Sequence, residues 1–565
     1  MRWKLKPETN PQITSKLAQE LGIDYTISKL LVQRGIHSFD QAKAFFRPSL
    51  TELHDPFLMK DMNLAVERIE NAIKRNENIL VYGDYDVDGT TAVSLVSSYL
   101  KTYYSNVATY IPDRYAEGYG ISFKSIDFAE DNDVTLIIAL DCGIKAIDKV
   151  KYAREKGIDF IICDHHRPGD KIPEAIAVLD PKQPDCEYPY KELCGCGVGF
   201  KLIQALAGKK GKTIDDLIPY LDLVATAIAA DIVPITGENR ILAYVGLQVI
   251  NSNPRTGIKA MIQQVKKERF TITDVVFVLA PRINAAGRIK HGNYAVELLT
   301  EMDFDTAVKL ALEIEQNNND RKELDKSITN EAIQQIKNNN EEQTFSTVVY
   351  AKTWHKGVIG IVASRLIETY YKPTLVFTKS GDVLAASARS VKGFDVYNAL
   401  EQCSEFIEQF GGHKYAAGLT LKEENYQNFK QKFEEVVRKT LPSALRTPEI
   451  SIDAEISLSE VTPKFFRIIK QLEPFGPQNM KPVFLSSGLR DNGYGKKVGA
   501  DETHLKLSIF EGSNQKIYNA IGFSMGEKHE LTKNGSSFKA VFNIDENHWN
   551  GFTSLQLLLK DIQEE

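Results

Sequence analysis

The chain has 565 residues, 43% hydrophobic and 25% charged, with a formal net charge of −6, which fits a soluble globular protein of about three or four domains. Six cysteines in so long a chain exclude a disulfide framework, and no apolar run approaches the ~20 residues that cross a bilayer. MRWKLKPETNPQ lacks the apolar core of a signal peptide, so a cytoplasmic location is expected by default, while the net charge neither proposes nor excludes nucleic acid.

Residues 1–55 read as an N-terminal segment of short helices, with Pro48 and Pro56 at its exit. From 56 to 300 short apolar runs rich in β-branched residues, NILVYG (78–83), VTLIIAL (134–140), IDFIIC (158–163) and IAVLD (176–180), alternate with helical stretches such as TAVSLVSSYLKTYY (91–104). Fully apolar strands with crossover helices imply a parallel sheet covered on both faces. Residues 301–340 form one long polar pattern almost without breakers, a helix suited to bridging two domains. A second α/β region follows over 341–445, with strands TVVYA, TLVFT and VLAASARS. From 446 to 565 short strands, among them HLKLSIF, KIYNAIGF, FKAVFNI and SLQLLL, predict a small all-β barrel of the OB type.

The densest chemical signal is VYGDYDVDGTT (81–91), where Asp84, Asp86 and Asp88 stand between a buried strand and a helix. Ligands bind at the carboxyl ends of strands in such sheets. Three acidic groups packed there repel one another unless a cation is present, and hard oxygen ligands suit Mg2+ or Mn2+. The competing reading is a helix cap and turn, which Asp and Gly also favour. Asp141 closes LIIALDCG; Asp164, His165 and His166 close FIICDHH; Asp231 follows the apolar helical stretch in ATAIAADIVPI. Each polar group follows an apolar run, so all can gather along one edge of the sheet. Cys186, Cys194 and Cys196 fit no common zinc spacing and read as small buried residues in a Gly-rich turn.

GDYDVDG, ALDCG, DHH and AADIVP match, in order and approximate spacing, the four motifs of the DHH phosphoesterase superfamily. From about residue 50 onward the chain resembles the bacterial RecJ exonucleases of that superfamily. The resemblance implies an α/β fold: a DHH domain with a parallel sheet and a DHHA1 domain, joined by the long helix, plus a C-terminal OB-fold. It further implies two ions, Mn2+ or Mg2+, with Asp86 and Asp84 on one, Asp88, His165 and Asp231 on the other, and Asp141 bridging. His166 then faces the scissile phosphate and acts with Asp141 in catalysis.

Four further segments narrow the substrate. PDRYAEGYG (112–120) offers Arg114 for a terminal phosphate and Tyr119 for stacking on a base. In LAPRINAAGRIKHGNYAVELL (279–299) Arg282, Asn284, Arg288, Lys290 and His291 make a basic run, with small residues that let a backbone approach; Arg282 and Arg288 are assigned to phosphate. SARS (387–390) and GGHKYAAG (411–418) resemble the DHHA1 substrate surface and supply Ser387, Arg389 and His413; Arg365 in WHKGVIGIVASRL is a weaker candidate. Amides at Gly411 and Gly412 are read as a phosphate cradle. LEPFGPQNMKPVF (472–484) leads into the barrel, whose Phe510, Tyr518 and Phe523 divide between core and groove in a way the pattern leaves open.

The activity implied is 5′-to-3′ exonucleolytic hydrolysis of single-stranded DNA to 5′-mononucleotides, in repair and recombination, alongside a single-stranded-DNA-binding protein and a helicase. The alternative, a DHH phosphodiesterase for small or cyclic nucleotides, has little use for a connecting helix and a barrel. A non-catalytic scaffold should have eroded ligands, and here every matched acidic and histidine position is filled.

Overall fold

The computed structural model describes residues 1–289, 291–512, 516–549 and 551–565. The chain starts with β1 (Arg2–Leu5) and short helices, then enters a five-stranded, all-parallel sheet. Its strands are β2 (Asn78–Gly83), β3 (Val107–Tyr110), β4 (Val134–Leu140), β5 (Asp159–Cys163) and β6 (Ala177–Leu179), in the spatial order β3-β2-β4-β5-β6.

Period-2 alternation sends Ile79, Val81, Leu136 and Ile138 to one face, and Leu80, Tyr82, Ile137 and Ala139 to the other. The first face packs on α1 (Val87–Lys101), α2 (Gly195–Lys209) and α3 (Leu221–Ala230); the second packs on helices Phe123–Asp131 and Ile147–Glu155. Both faces are covered, which is why these strands carry no polar alternation. The strand at Val107–Tyr110 is absent from the sequence reading. It has one buried position at its start and lies at the sheet edge, so its pattern is weak.

RINAAGR lies in α4 (Ala280–Ile289), and α5 (Phe304–Asn338) is a continuous 35-residue helix, about 50 Å long. It leads to a second sheet of β7 (Thr347–Tyr350), β8 (Thr374–Ser380), β9 (Val383–Arg389), β10 (Gln409–His413) and β11 (Ala416–Leu421). Its order is β10-β11-β9-β8-β7, with β7 and β8 parallel and the other neighbours antiparallel.

The last strands are β12 (Glu449–Ile452), β13 (Ala454–Glu455), β14 (Phe484–Asp491), β15 (Lys496–Val498), β16 (His504–Glu511), β17 (Tyr518–Gly522), β18 (Phe538–Trp549) and β19 (Phe552–Glu564). Pairing of β14 with both β18 and β16 closes the ring β14-β18-β19-β17-β16 into a barrel.

The N-terminal segment does not stand apart from this barrel. β1 pairs in parallel with β12, and Leu17, Ile27, Leu30 and Leu31 share one core with Phe465, Leu472 and Phe484. The two ends of the chain therefore make one unit.

Candidate active site

Three strand ends and one helix end converge on a single corner of the first domain. β2 runs out into Asp84, which is buried and whose carboxylate oxygens have no hydrogen-bond partner of ordinary geometry among the described residues. Asp86 caps α1, accepting from the Gly89 amide at 3.0 Å, so the cap reading and an acidic site coexist. Asp88 is 2% exposed and accepts from the Gly195 and Cys196 amides at 2.7 Å each. The positive end of α2 thus points at it.

Gly195 is required at that junction, because a Cβ would lie 2.5 Å from the Asp141 Cβ. Cys186, Cys194 and Cys196 are free and buried, and Cys194 caps α2 through its sulfur. Asp141, at the end of β4, holds φ at 59°, the left-handed region that is uncommon for a residue with a Cβ. Such strain collects at functional sites.

His165 is the hub. Its Nε2 lies 3.1 Å from Asp141 Oδ1, 3.6 Å from Asp231 Oδ2 and 3.8 Å from Asp88 Oδ2. Burial, then the charge of His166, holds its imidazole down at about 3, so it is a neutral nitrogen donor. Its carboxylate neighbours move the other way. Burial and then Asp86 raise Asp88 to about 7; burial and then Asp88 raise Asp231 to about 8; Asp141 rises well above the carboxylate range through burial and then Asp88. Asp84 reaches about 8 through burial and Asp86.

Carboxylates crowded out of water in this way take up protons unless a cation neutralises them. One imidazole nitrogen, three carboxylates and an orphaned fourth at Asp84 fit a divalent ion such as Mn2+ or Mg2+. The ligand atoms of Asp88, His165 and Asp231 lie within 4.8 Å of one another, as do those of Asp141, His165 and His166. Asp84 and Asp86 stand beside these groups without joining them.

His166 is built differently. Asp164, 1% exposed, accepts from the amides of Ile144, His165 and His166 and from His166 Nδ1 at 2.7 Å. Burial opposes charge on His166, but the Asp164 hydrogen bond and charge outweigh it and raise the imidazole to about 9. Burial would raise Asp164, yet the same bond holds it down at about 2. His166 is therefore a cation, and its Nε2 sits 3.1 Å from the Tyr119 hydroxyl. Asp164 has no assigned role in the sequence reading, although DHH displays it; what it does depends on a fold-back of two residues.

A basic seam faces this corner. The Arg114 guanidinium lies 3.9 Å over the Tyr85 ring. Tyr115 donates to the Arg288 carbonyl at 2.7 Å, and Arg288 Nη1 reaches across to the Gly357 carbonyl of the second domain at 2.8 Å. Arg389 Nη1 lies 3.1 Å from Ser387 Oγ. Burial first, then the charges of Arg114, Arg321 and Arg389, push Arg288 down to about 10. Arg114, Arg288 and Arg389 form no ion pair with a described carboxylate. The small residues of RINAAGR do permit close approach, since a Cβ at Gly287 would lie 2.9 Å from the Tyr85 carbonyl oxygen.

Other expected contacts lie elsewhere. Arg282 is turned to the long helix, with Nε 2.5 Å from Glu315 Oε2 and Nη1 donating to the Val278 carbonyl. This is a largely buried pair, and Arg282 is not free for phosphate. Asn284 buries its side-chain oxygen without a partner among the described residues. Gly411 and Gly412 belong to edge strand β10 and pair with Gly418 and Ala417, so the open cradle expected there is a β-ladder, with His413 exposed at its end. Arg365 pairs with the buried Asp325 of α5 at 2.7 Å. Lys290 lies outside the described residues. Arg321, the further guanidinium near Arg288, has no local signal in the polar helix pattern.

In the barrel, Tyr518 is core, its hydroxyl on the Leu458 and Val461 carbonyls, and Phe510 is half-buried. Phe523 is 59% exposed, and so are Phe552 (80%) and Tyr494 (76%), which the pattern did not single out.

Comparison with known proteins matches the DHH family, N-terminal domain, over residues 78–228. It matches the DHHA1 domain over 343–439 and the RecJ OB domain over 452–561. The single-stranded-DNA-specific exonuclease RecJ of Bacillus subtilis (strain 168) is 37% identical, across 99% of this chain and 70% of its own length. The protein of the same name in Escherichia coli (strain K12) is 31% identical over 95% of each. Among solved structures, RecJ from Thermus thermophilus in complex with Mn2+ aligns with a TM-score of 0.86 at 25% identity, covering 100% of this chain and 80% of that one. Residues 78–228 hold every candidate ligand except Asp231, which lies three residues further on.

Proposed function

This chain belongs to the RecJ family of single-stranded-DNA-specific exonucleases, and from that premise we propose that it removes 5′-mononucleotides from single-stranded DNA by metal-dependent hydrolysis. The observation that carries the reading is the convergence of Asp88, Asp141 and Asp231 on the neutral His165 nitrogen, with no lysine or arginine paired to them among the described residues.

When bound, the two ions supply Lewis-acid charge that activates the attacking oxygen and stabilises the leaving one. Asp84 and Asp86 would hold one ion and Asp88, His165 and Asp231 the other, with Asp141 available to both. The charged His166, held by Asp164, presents an N–H to the phosphate, where negative charge builds up in the transition state. Tyr119 occupies that N–H until substrate arrives.

Arg114, Arg288 and Arg389 with Ser387 receive the 5′ phosphate across the two α/β domains, which fixes polarity. Exposed Phe523, Phe552 and Tyr494 offer stacking faces to a strand beyond the site. The enzyme acts in the cytoplasm in DNA repair and recombination, with a single-stranded-DNA-binding protein and a helicase supplying and protecting the strand.

The test is hydrolysis of an oligonucleotide labelled at either end, with Mn2+, beside duplex and cyclic-dinucleotide controls. Release of a labelled mononucleotide from the 5′ end alone, with the duplex spared, is expected. An intact oligonucleotide beside a hydrolysed dinucleotide would refute the strand reading.

A further inference from the structure

The barrel's lead-in, residues 472–479, lies against the first domain beside the loop that carries Asp231. Arg240, 4% exposed, anchors it: Nη1 donates to the Leu472 carbonyl at 2.9 Å and Nη2 to the Glu473 carbonyl at 3.0 Å. The same guanidinium donates to the Phe45 carbonyl and lies 3.7 Å over the Phe45 ring. Arg34 holds the far end through Asn479 Oδ1 and the Met480 carbonyl, each at 2.8 Å. Arg240 thus ties the first domain, the N-terminal helices and the lead-in together through carbonyl oxygens and without an acidic partner among the described residues.

From this anchored segment two contacts reach the ligand loop. The Ile235 amide donates to the Pro477 carbonyl at 2.9 Å. Gly476 packs so closely that a Cβ there would lie 2.4 Å from Ile235 Cγ1. Ile235 is four residues past Asp231, through Ile232, fixed at φ 58°, and Pro234, whose carbonyl accepts from Asn239. Asp231 itself is the C-cap of α3, still helical in φ and ψ with its amide on the Ala227 carbonyl at 2.9 Å, so its backbone is held on one side by the helix and on the other by this loop.

We infer that residues 472–479 position Asp231, so that the strand-binding unit at the chain ends completes the metal centre as well as holding DNA. The inference rests on reading Asp231 as a ligand. Contacts outside a metal's ligands commonly change affinity by about 10–100-fold, and a displaced loop acts in the same way.

The test uses the full-length protein and Mn2+ titration calorimetry, without substrate. Gly476→Ala removes no charge or hydrogen bond, and its helix and strand content can be checked by circular dichroism. Mn2+ binding about tenfold weaker than wild type is expected. Gly476→Ala with Ile235→Ala, which returns the lost space, should recover most of that loss; Arg240→Lys, which keeps the charge but loses the fork, should again weaken binding. Unchanged Mn2+ affinity in folded Gly476→Ala would overturn the inference, and so would a double variant no better than the single. Asp231→Ala binding Mn2+ as wild type does would remove the ligand reading itself, a failure separate from that of the strut.

Discussion

The acidic corner and the basic seam are opposite in sign and alike in construction. In the corner, Asp84, Asp88, Asp141 and Asp231 are packed at strand and helix ends, and burial with mutual repulsion raises all four. In the seam, Arg288 is pushed down by burial and by Arg114, Arg321 and Arg389. Asp88, Asp141 and Asp231 pair with no lysine or arginine among the described residues, and Arg114, Arg288 and Arg389 pair with no described carboxylate; on the proposed reading the first group takes a divalent cation and the second a phosphate. The corner sits on one domain's strand ends, whereas the seam is divided between two domains. On the proposed reading the metal ligands all come from one domain, braced by residues 472–479, and the phosphate contacts come from two.

The comparison breaks most sharply at Asp141. Asp141→Ala should lower hydrolysis by more than about a hundredfold while leaving a folded protein. Near-wild-type turnover in a quantified nuclease assay would remove the corner from catalysis.

A metal-free preparation sharpens it next. The corner carboxylates have folded-state pKa values above their unfolded ones near 4, so the stability they contribute is full below that pH. It is lost as pH rises through about 7 to 8, the range of Asp88, Asp84 and Asp231. The melting temperature of the metal-free protein should fall from about pH 6 to pH 8.5. Mn2+ at about a hundredfold excess over its Kd should add about 2.7 kcal/mol. A scan that falls equally with and without Mn2+ would contradict the cation reading.

On the seam, Arg389→Ala removes a charged donor worth about 1.5–3 kcal/mol. The preference for a 5′-phosphorylated end should drop by about tenfold or more, with Mn2+ affinity unchanged. Loss of Mn2+ affinity in that variant would mean that the two halves are not separable. The smallest effect is expected at the barrel surface. Phe523→Ala and Phe552→Ala should each weaken binding of a long strand by about 1 kcal/mol and leave dinucleotide hydrolysis alone, as compared by fluorescence anisotropy and product release.

The corner was legible because each part is local. A strand needs an apolar run, and the chain that leaves it must place the next residue at the sheet's carboxyl edge, so Asp84, Asp141, His165 and their order could be read in one pass. Asp231 could be read from its apolar helix for the same reason. The seam was half legible. Arg114, Arg288 and Arg389 stand in motifs, but Arg282, in the same motif as Arg288, turns to Glu315 because the face of a helix is decided by what packs on it. Arg321 shows why the rest was hidden: it lies in an evenly polar helix whose neighbour across the gap is set by domain placement.

The sequence by itself determined the apolar strands β2, β4, β5 and β6, the long helix and the order of the acidic and histidine positions, since periodicity and strand-end chemistry act within a few residues. Only the tertiary structure decided that the two ends of the chain share one core, with Leu30 beside Phe465. It alone set Asp164 to charge His166 and brought Pro477 to the loop of Asp231. Those contacts join residues that local pattern does not connect, and their free energy comes from burial and hydrogen bonds that exist only once the chain has packed.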